Sequence, residues 1–318
     1  MNNPQACGQK KAEKKDITGW LVIDKPQGFT SNDVVSKLKG LTHAAKIGHG
    51  GTLDPLATGV LPIAFGEATK TVNYVMDGEK VYEFRVKWGE ATETDDTEGD
   101  ITETSLHRPS SEEITRVLPK FIGTIMQTPP AYSAIKLAGQ RAYDLARKKV
   151  PVNIPPRKIE IKELTLKAVI DENHADFKVV CGKGTYVRSL ARDLAKALNT
   201  CGHVTVLRRL KCGIFKDEDA ISLDNSEVLA HIAESSDFLF PLETVLAGIP
   251  ALALTRGEAG KLTAGNYIPV IPVLKRNKID ELQRDIILKM TYNGKLISLA
   301  RIEGAFIKPF RVLVKSID

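Results

Sequence analysis

An α+β fold in two domains is predicted for this chain, and three observations predict it. Helical and strand patterns are interleaved without the regular β-α-β alternation of a doubly wound sheet. The strand-like runs are short, either apolar or alternating, and are separated by glycine and proline turns. After Gly248-Ile249-Pro250 the texture changes to short strands and glycine turns, which marks a separate, small β-rich unit. A length of 318 residues suits one large domain plus a smaller one. There is no internal repeat.

Taken in order, residues 1–17 are Asn-, Gln-, Lys- and Glu-containing without periodicity and are expected to be a flexible tail. GWLVIDK from Gly19 reads as a strand. Pro26, Gly28 and Thr30 break it, and Ser31 or Asn32 is placed to cap a helix carrying Val34, Val35 and Leu38. Ile47 to Gly59 holds four glycines and a proline in thirteen residues, a loop composition. VLPIAF from Val60 reads as a buried strand despite its proline, and KVYEFRVKW from Lys80 alternates as a strand does. The acidic stretch that follows has turn composition. Ser110 and Glu113 have the spacing of a capping box ahead of a helix through Leu118. Pro129-Pro130 opens, and Pro155-Pro156 closes, a basic loop-like insertion with a short helix around Ala142 to Arg147. Strands follow near Ile159 to Val169 and Asp176 to Cys181, Gly182 and Gly184 make a turn, and a helical pattern runs from Tyr186 through Leu190, Leu194 and Leu198. HVTVLRRL from His203 reads as a strand.

Composition narrows the function classes. The longest apolar runs are far too short to span a bilayer, and the polar, lysine-rich N-terminus is no secretory signal, so a cytoplasmic protein is expected. Cys7, Cys181, Cys201 and Cys212 include no CxxC pair and no zinc spacing, which reads as four reduced thiols and no metal site. A net charge of +6 is a weak pointer to a polyanion. Its distribution says more. From Lys136 to Lys167 there are nine basic residues against three acidic ones, and from Glu90 to Thr104 seven acidic residues and no basic one. A basic stretch punctuated by Tyr132 and Tyr143 can track a phosphate backbone; a solvated face reads the same way.

The strongest local signal is GHGGTLDPLATGVLP, from Gly48 to Pro62. Asp54 precedes a proline and is pushed away from helix, while the glycines allow close approach to a ligand. A carboxylate so presented can act as nucleophile or general base; an Asp-Pro turn with a structural carboxylate accounts for it too. No GK[ST] follows at phosphate-loop spacing. A buried carboxylate needs a partner. Arg188, where a strand turns through CGKGTY into a helix, is the candidate for a bidentate pair, against the reading of a surface helix residue. Tyr82 on its alternating strand could stack on a base, take part in proton transfer or sit in the core. His49 among glycines could reach a ligand or simply make a turn. Leu207 in VLRRL looks like core.

These strings occur together and in order: DKPQGFTSND (Asp24 to Asp33), GHGGTLDPLATGVLP, KVYEF around Tyr82, QTPPAYSAIK (Gln127 to Lys136), GTYVRSLARDL (Gly184 to Leu194) and HVTVLRRL. In this the chain closely resembles the TruB family of tRNA pseudouridine synthases, from Gly19 to Leu242. The resemblance implies a catalytic domain over 18–247, built on a mixed, largely antiparallel sheet, with an RNA-binding thumb at 127–156. It implies a PUA-like RNA-binding domain over 248–318, which matches only loosely. It implies that Asp54 is the essential carboxylate, that Tyr82 contacts the target uracil, and that Arg188 pairs with Asp54 with Tyr186 close by. Leu207 would pack near the base, Lys25 and Pro26 would support the site, and His49 would engage the T loop. The thumb would hold RNA through Lys136, Arg141, Arg147, Lys148 and Lys149.

The implied reaction is uridine to pseudouridine at position 55, in the T arm of tRNA. It cuts the C1′–N1 bond, turns the uracil and rejoins it through C5. Substrate and product are isomers, so no redox cofactor, ATP or metal is required. The uridine must leave its stack, at a cost of a few kcal/mol that a grip on the stem can offset. Three rivals stand beside this reading: a non-catalytic RNA-binding protein or tRNA chaperone, a glycosidase or nucleosidase pairing Asp54 with a second acid from Glu90 to Glu103, and a guide-RNA-dependent synthase working with partner proteins. The long insertion favours a stand-alone enzyme, by default a monomer.

Overall fold

The run at residues 20–23 is apolar at every position because the strand it forms is covered on both faces. Leu21 and Ile23 enter one core and Trp20 and Val22 another, as the two-residue period of a strand requires. The computed structural model describes residues 14–133, 135–137, 139–148, 153–225, 229, 231–232, 235, 237–279, 286–314 and 316–317, with the backbone alone at 136, 137, 141 and 144. Its strands are β1 (Gly19–Lys25), β2 (Ile47–His49), β3 (Thr58–Phe65), β4 (Lys80–Trp88), β5 (Glu90–Thr92), β6 (Ile101–Thr104), β7 (Gly123–Gln127), β8 (Lys136–Leu137), β9 (Gln140–Arg141), β10 (Arg157–Asp171), β11 (His174–Cys181), β12 (Gly202–Cys212), β13 (Phe215–Lys216), β14 (Ile221–Ser222), β15 (Ala251–Ala253), β16 (Ile268–Pro269), β17 (Ile287–Tyr292), β18 (Lys295–Glu303) and β19 (Phe306–Val312). Its α-helices are α1 (Ser31–Thr42), α2 (Val72–Asp77), α3 (Ser111–Val117), α4 (Ala142–Arg147), α5 (Val187–Ala197), α6 (Arg256–Thr263) and α7 (Val270–Arg276).

The large sheet runs β14-β1-β3-β12-β4-β11-β10-β7, with β2 and β13 attached at β3 and β12. It is mixed and largely antiparallel: among these pairings β1–β14 and β3–β12 are parallel. One face packs against α1, α3 and α5. On the other, Trp20, Val22, Val60 and Phe215 share a core with Leu296, Leu299 and Leu313 of the C-terminal unit. That unit is a five-stranded sheet, β15-β17-β18-β19-β16, with a core of its own that includes Leu252, Leu262, Leu288 and Ile307. The fold is α+β with a β-rich C-terminal domain, as expected.

Several local expectations need correction. The cap of α1 is Thr30, not Ser31 or Asn32: its hydroxyl accepts from the Asp33 N–H, and the Asp33 carboxylate accepts from the Thr30 N–H. Ser31 is left free to bind the Asp54 loop. The acidic stretch is more than a turn, since β5 and β6 pair across it. The C-terminal unit contains two helices, α6 and α7, where strands and turns were expected. Lys15 pairs with Ala44 and Ile17 joins the core, so the last residues of the expected tail dock on the body; residues 1–13, with Cys7, lie outside the described residues. Cys181, Cys201 and Cys212 are free thiols and buried. Pro62 is tolerated in β3 because it falls between the residues that pair with β12 (58–59) and with β2 (63–65).

Candidate active site

Topology brings the motifs together. Thr58 and Gly59 at the start of β3 lie beside Arg208 and Arg209 of β12, Arg209 lies opposite Tyr82 of β4, and Lys80 of β4 lies opposite Cys181 at the end of β11. One end of the sheet therefore collects the loop before β3, the start of β4 and the glycine turn from β11 into α5.

The loop carrying Asp54 is fixed carbonyl by carbonyl. Arg209 donates to the carbonyls of Gly51 (3.0 Å), Thr52 (3.3 Å) and Val60 (2.7 Å). The Ser31 hydroxyl donates to the Leu53 carbonyl at 3.2 Å and accepts from the Leu53 N–H at 2.8 Å. The Ala57 N–H caps the Asp54 carbonyl at 3.1 Å, and Pro55 accepts from Gly28 N–H at 2.8 Å and Lys25 at 3.3 Å. Gly59 is obligatory in this arrangement: at φ +98°, a β-carbon there would lie 2.3 Å from the Arg209 carbonyl oxygen. A carboxylate on such a loop needs no reorganisation before it acts.

Arg188, in the first turn of α5, meets it. Its Nε lies 2.9 Å from Asp54 Oδ2, and its side chain is 5% exposed against 33% for Asp54. The pair is not bidentate. The Nε–H is poorly aligned with the carboxylate, and the remaining nitrogens are used elsewhere. One donates to the Thr94 carbonyl at 2.8 Å and lies 3.3 Å from Asp96 Oδ2; another donates to the Tyr132 carbonyl at 3.0 Å. Burial opposes the guanidinium charge, but Asp54, Asp96 and Asp95 outweigh it and raise its pKa. Asp96, 1% exposed, was hidden within the acidic run; the Glu98 N–H also holds it.

Asp54 stands at the wall of a cavity of about 530 Å³, with the buried Arg188 behind it. Asp54, Tyr82, Tyr186 and Leu207 line it, joined by Lys80, Arg157 and Arg209, which sequence reasoning did not single out. The signal was available: Lys80 and Arg209 stand two residues from Tyr82 and Leu207 on the same strands, hence on the same faces. Burial pushes the Tyr82 phenol up to about 12, so it stays neutral near pH 7. Tyr186 is clamped by Gln127, whose side chain accepts from the Tyr186 N–H at 2.9 Å and donates to its carbonyl at 3.1 Å. Lys25, Pro26 and His49 are not part of the cavity wall. Lys25 is wholly buried, donates to the carbonyls of Pro26 (2.9 Å) and Phe29 (2.6 Å) besides Pro55, and is lowered by burial to about 8. His49 sits half-buried on β2; burial, then Arg209, lowers its pKa, and its Nδ1 has no partner among the described residues.

The insertion rises from the same site. Its backbone forms the β8–β9 hairpin and α4, with Arg147 stacked on Tyr143 at 4.3 Å. Arg147 and Lys148 are exposed there. Lys136 and Arg141 occupy the hairpin, their side chains outside the description, and Lys149 lies outside the described residues. Arg192, one turn after Arg188, binds the Thr128 carbonyl and Asp95, each at 2.8 Å.

Comparison with known proteins identifies the family. Residues 39–187 match the family described as TruB family pseudouridylate synthase (N terminal domain), and residues 188–247 match the tRNA pseudouridylate synthase B C-terminal domain. Proteins named tRNA pseudouridine synthase B are similar over nearly the whole chain. The one from Rhodospirillum rubrum is 53% identical, with 93% of this chain and 96% of that protein covered. The one from Gluconacetobacter diazotrophicus is 49% identical, covering 96% and 100%. Among solved structures, a chain of a Cbf5-Nop10-Gar1 complex superposes with a TM-score of 0.69 at 25% identity, over 93% of this chain and 85% of that one. A chain of an H/ACA RNP bound to a substrate RNA containing 2′-deoxyuridine gives 0.69 at 23%, a likeness of fold. By sequence and by architecture, the chain belongs to the TruB family of pseudouridylate synthases.

Proposed function

We propose that this chain converts uridine to pseudouridine in tRNA, at position 55 of the T arm, with Asp54 as the catalytic carboxylate. The observation that carries the reading is the Asp54 carboxylate held on a fully bonded loop, 2.9 Å from the buried Arg188, at the wall of a ligand-sized cavity. The relatives named tRNA pseudouridine synthase B supply the substrate class.

Arg188 sets a buried cation 2.9 Å from the Asp54 carboxylate. Asp54 then attacks C1′ or removes a sugar proton, and uracil leaves as a delocalised anion. The base turns in the cavity and C5 bonds to C1′ as the Asp54–C1′ bond breaks or, on the other route, as Asp54 returns the sugar proton; C5 then loses its proton and N1 takes one up, so the product is an isomer. Tyr82, a neutral phenol, serves as a ring face and O–H donor more than as a base. Leu207 and Tyr186 bound the base. Lys25 and Pro26 hold the loop from behind, and His49 meets the T loop as a neutral imidazole. The insertion at 127–156, through Lys136, Arg141, Arg147, Lys148 and Lys149, closes on the T arm. The catalytic domain spans 18–247, and 248–318 forms a PUA-like RNA-binding domain. The enzyme acts as a cytoplasmic monomer without protein partners.

Tritium release from tRNA labelled at uridine C5 tests the chemistry. The wild type is expected to release it, and Asp54→Asn to fall by at least about 10³-fold while still binding tRNA. Release by both variants would overturn the role of Asp54. Free uracil in the products would make the protein a glycosidase, and no release at all would leave a tRNA-binding chaperone. Activity of the purified protein on a bare T-arm hairpin tests whether it acts alone.

A further inference from the structure

We infer that Arg157 is a phosphate-binding residue at the mouth of the Asp54 cavity, gripping an RNA phosphodiester next to the flipped nucleotide. The inference rests on the proposed reaction for what enters the cavity.

Five cationic residues line that cavity: Lys80, Arg157, Lys158, Lys183 and Arg209. Three are already committed. Lys80 donates to the carbonyls of Met76 and Gly78, Arg209 to three carbonyls of the Asp54 loop and β3, and Lys183 pairs with Asp77 at 2.9 Å. Arg157 and Lys158 have no carboxylate or carbonyl partner among the described residues. Lys158 is exposed and solvated, but Arg157 is half-buried, and its Nε is shielded from solvent with nothing to donate to. A buried N–H without a partner is costly and demands an explanation.

The surroundings hold the guanidinium ready. Arg157 opens β10 and lies opposite Gln127 of β7, the residue whose side chain clamps Tyr186. Its guanidinium carbon lies over the Tyr186 ring, 5.1 Å from the centroid, a cation–π contact that holds it in place. Gly184, at φ +81°, is also close: an added β-carbon there would stand 4.0 Å from the guanidinium carbon. The fork therefore sits beside an aromatic ring and bare glycine backbone at the wall of the cavity, where a ligand can approach. Guanidinium matches phosphate oxygens with two parallel hydrogen bonds, and phosphate is the anion every flipped nucleotide carries on both sides. Arg157 becomes a second reader of the extruded nucleotide, holding its backbone while Asp54 faces its sugar.

Fluorescence anisotropy with a labelled T-arm hairpin tests this, comparing wild type, Arg157→Gln and Arg157→Lys across a KCl series. One lost phosphate contact should flatten the slope of log affinity against log salt by about 0.7–0.9 in Arg157→Gln, while Arg157→Lys keeps it. Replacing one phosphate flanking the target uridine by a methylphosphonate should weaken the wild type by about tenfold, and leave Arg157→Gln unaffected. An unchanged slope in Arg157→Gln overturns the inference, as does an equal loss by wild type and Arg157→Gln on the neutralised hairpins. An unchanged slope with slower conversion would make Arg157 a prop for Tyr186. Conversion of the hairpin by wild type is scored separately, so a protein that binds as expected but converts nothing sinks the reaction and not the contact.

Discussion

The loop around Asp54 and the insertion that faces it are built on opposite principles. From Gly51 to Pro55 every carbonyl has a donor from outside the loop or from its own turn, and two of the donors, Arg209 and Lys25, are buried charges. In the insertion, the backbone bonds among the described residues run inward, Ala142 to Ile135, Tyr143 to Ser133 and Lys148 to Leu145, while Arg188 and Arg192 hold its root. One region is finished before RNA arrives; the other presents charge and rings set edge to face to whatever comes. Preorganisation is concentrated around the Asp54 carboxylate, and adaptability in the basic insertion.

Arg188 belongs to both regions, so its loss should have the largest effect. Arg188→Met leaves Asp96 buried without its cation and should destabilise the protein by about 3–5 kcal/mol in urea unfolding, with catalysis falling even in the folded fraction. Full stability in that variant would mean the two regions are not joined there. Arg209→Met touches the loop and β3 but not the insertion. It frees three carbonyls and should cost about 2–4 kcal/mol, with a slower single-turnover rate and unchanged tRNA affinity. Arg147→Gln with Lys148→Gln should do the reverse: weaker binding, a salt slope lower by about 0.7–0.9 per lost contact, and an unchanged rate at saturation. If it slowed saturated turnover instead, the division of labour would fail.

The smallest effect is a pH dependence. Burial lowers Lys25 from 10.5 to about 8. Between those two values the unfolded chain binds the proton and the folded chain does not, so the contribution of Lys25 to stability rises with pH across that window. Unfolding of wild type and Lys25→Met, followed from pH 7.5 to 10.5, should show the wild type gaining on the variant. A constant difference would mean that Lys25 is solvated, and the loop less closed than its hydrogen bonds describe.

Legibility in the sequence followed the range of the interactions. Glycine spacing and the Asp-Pro step mark the Asp54 loop because they are local constraints on backbone. Alternation marks β4, and an unbroken apolar run marks β1, because these patterns are local too. Asp96 could not be singled out: it differs from Asp95 or Asp100 only in what α5 places over it. The bidentate pairing expected of Arg188 failed for the same reason, since its fork is divided among Asp96, Thr94 and Tyr132 from distant parts of the chain. The helix α6 was legible, as Thr255 and Glu258 form a capping box; α7 was obscured by Pro269 and Pro272 at its start.

The core shared by Trp20, Val22 and Val60 with Leu296, Leu299 and Leu313 changes what the chain's second unit is for. Strand β1, which leads into the Lys25 and Ser31 supports of the reactive loop, is roofed on that side by the C-terminal sheet. The C-terminal domain is thus a foundation for the strands beside the Asp54 loop as well as an appendage. Removing it would strip an apolar wall from the strands that aim the carboxylate.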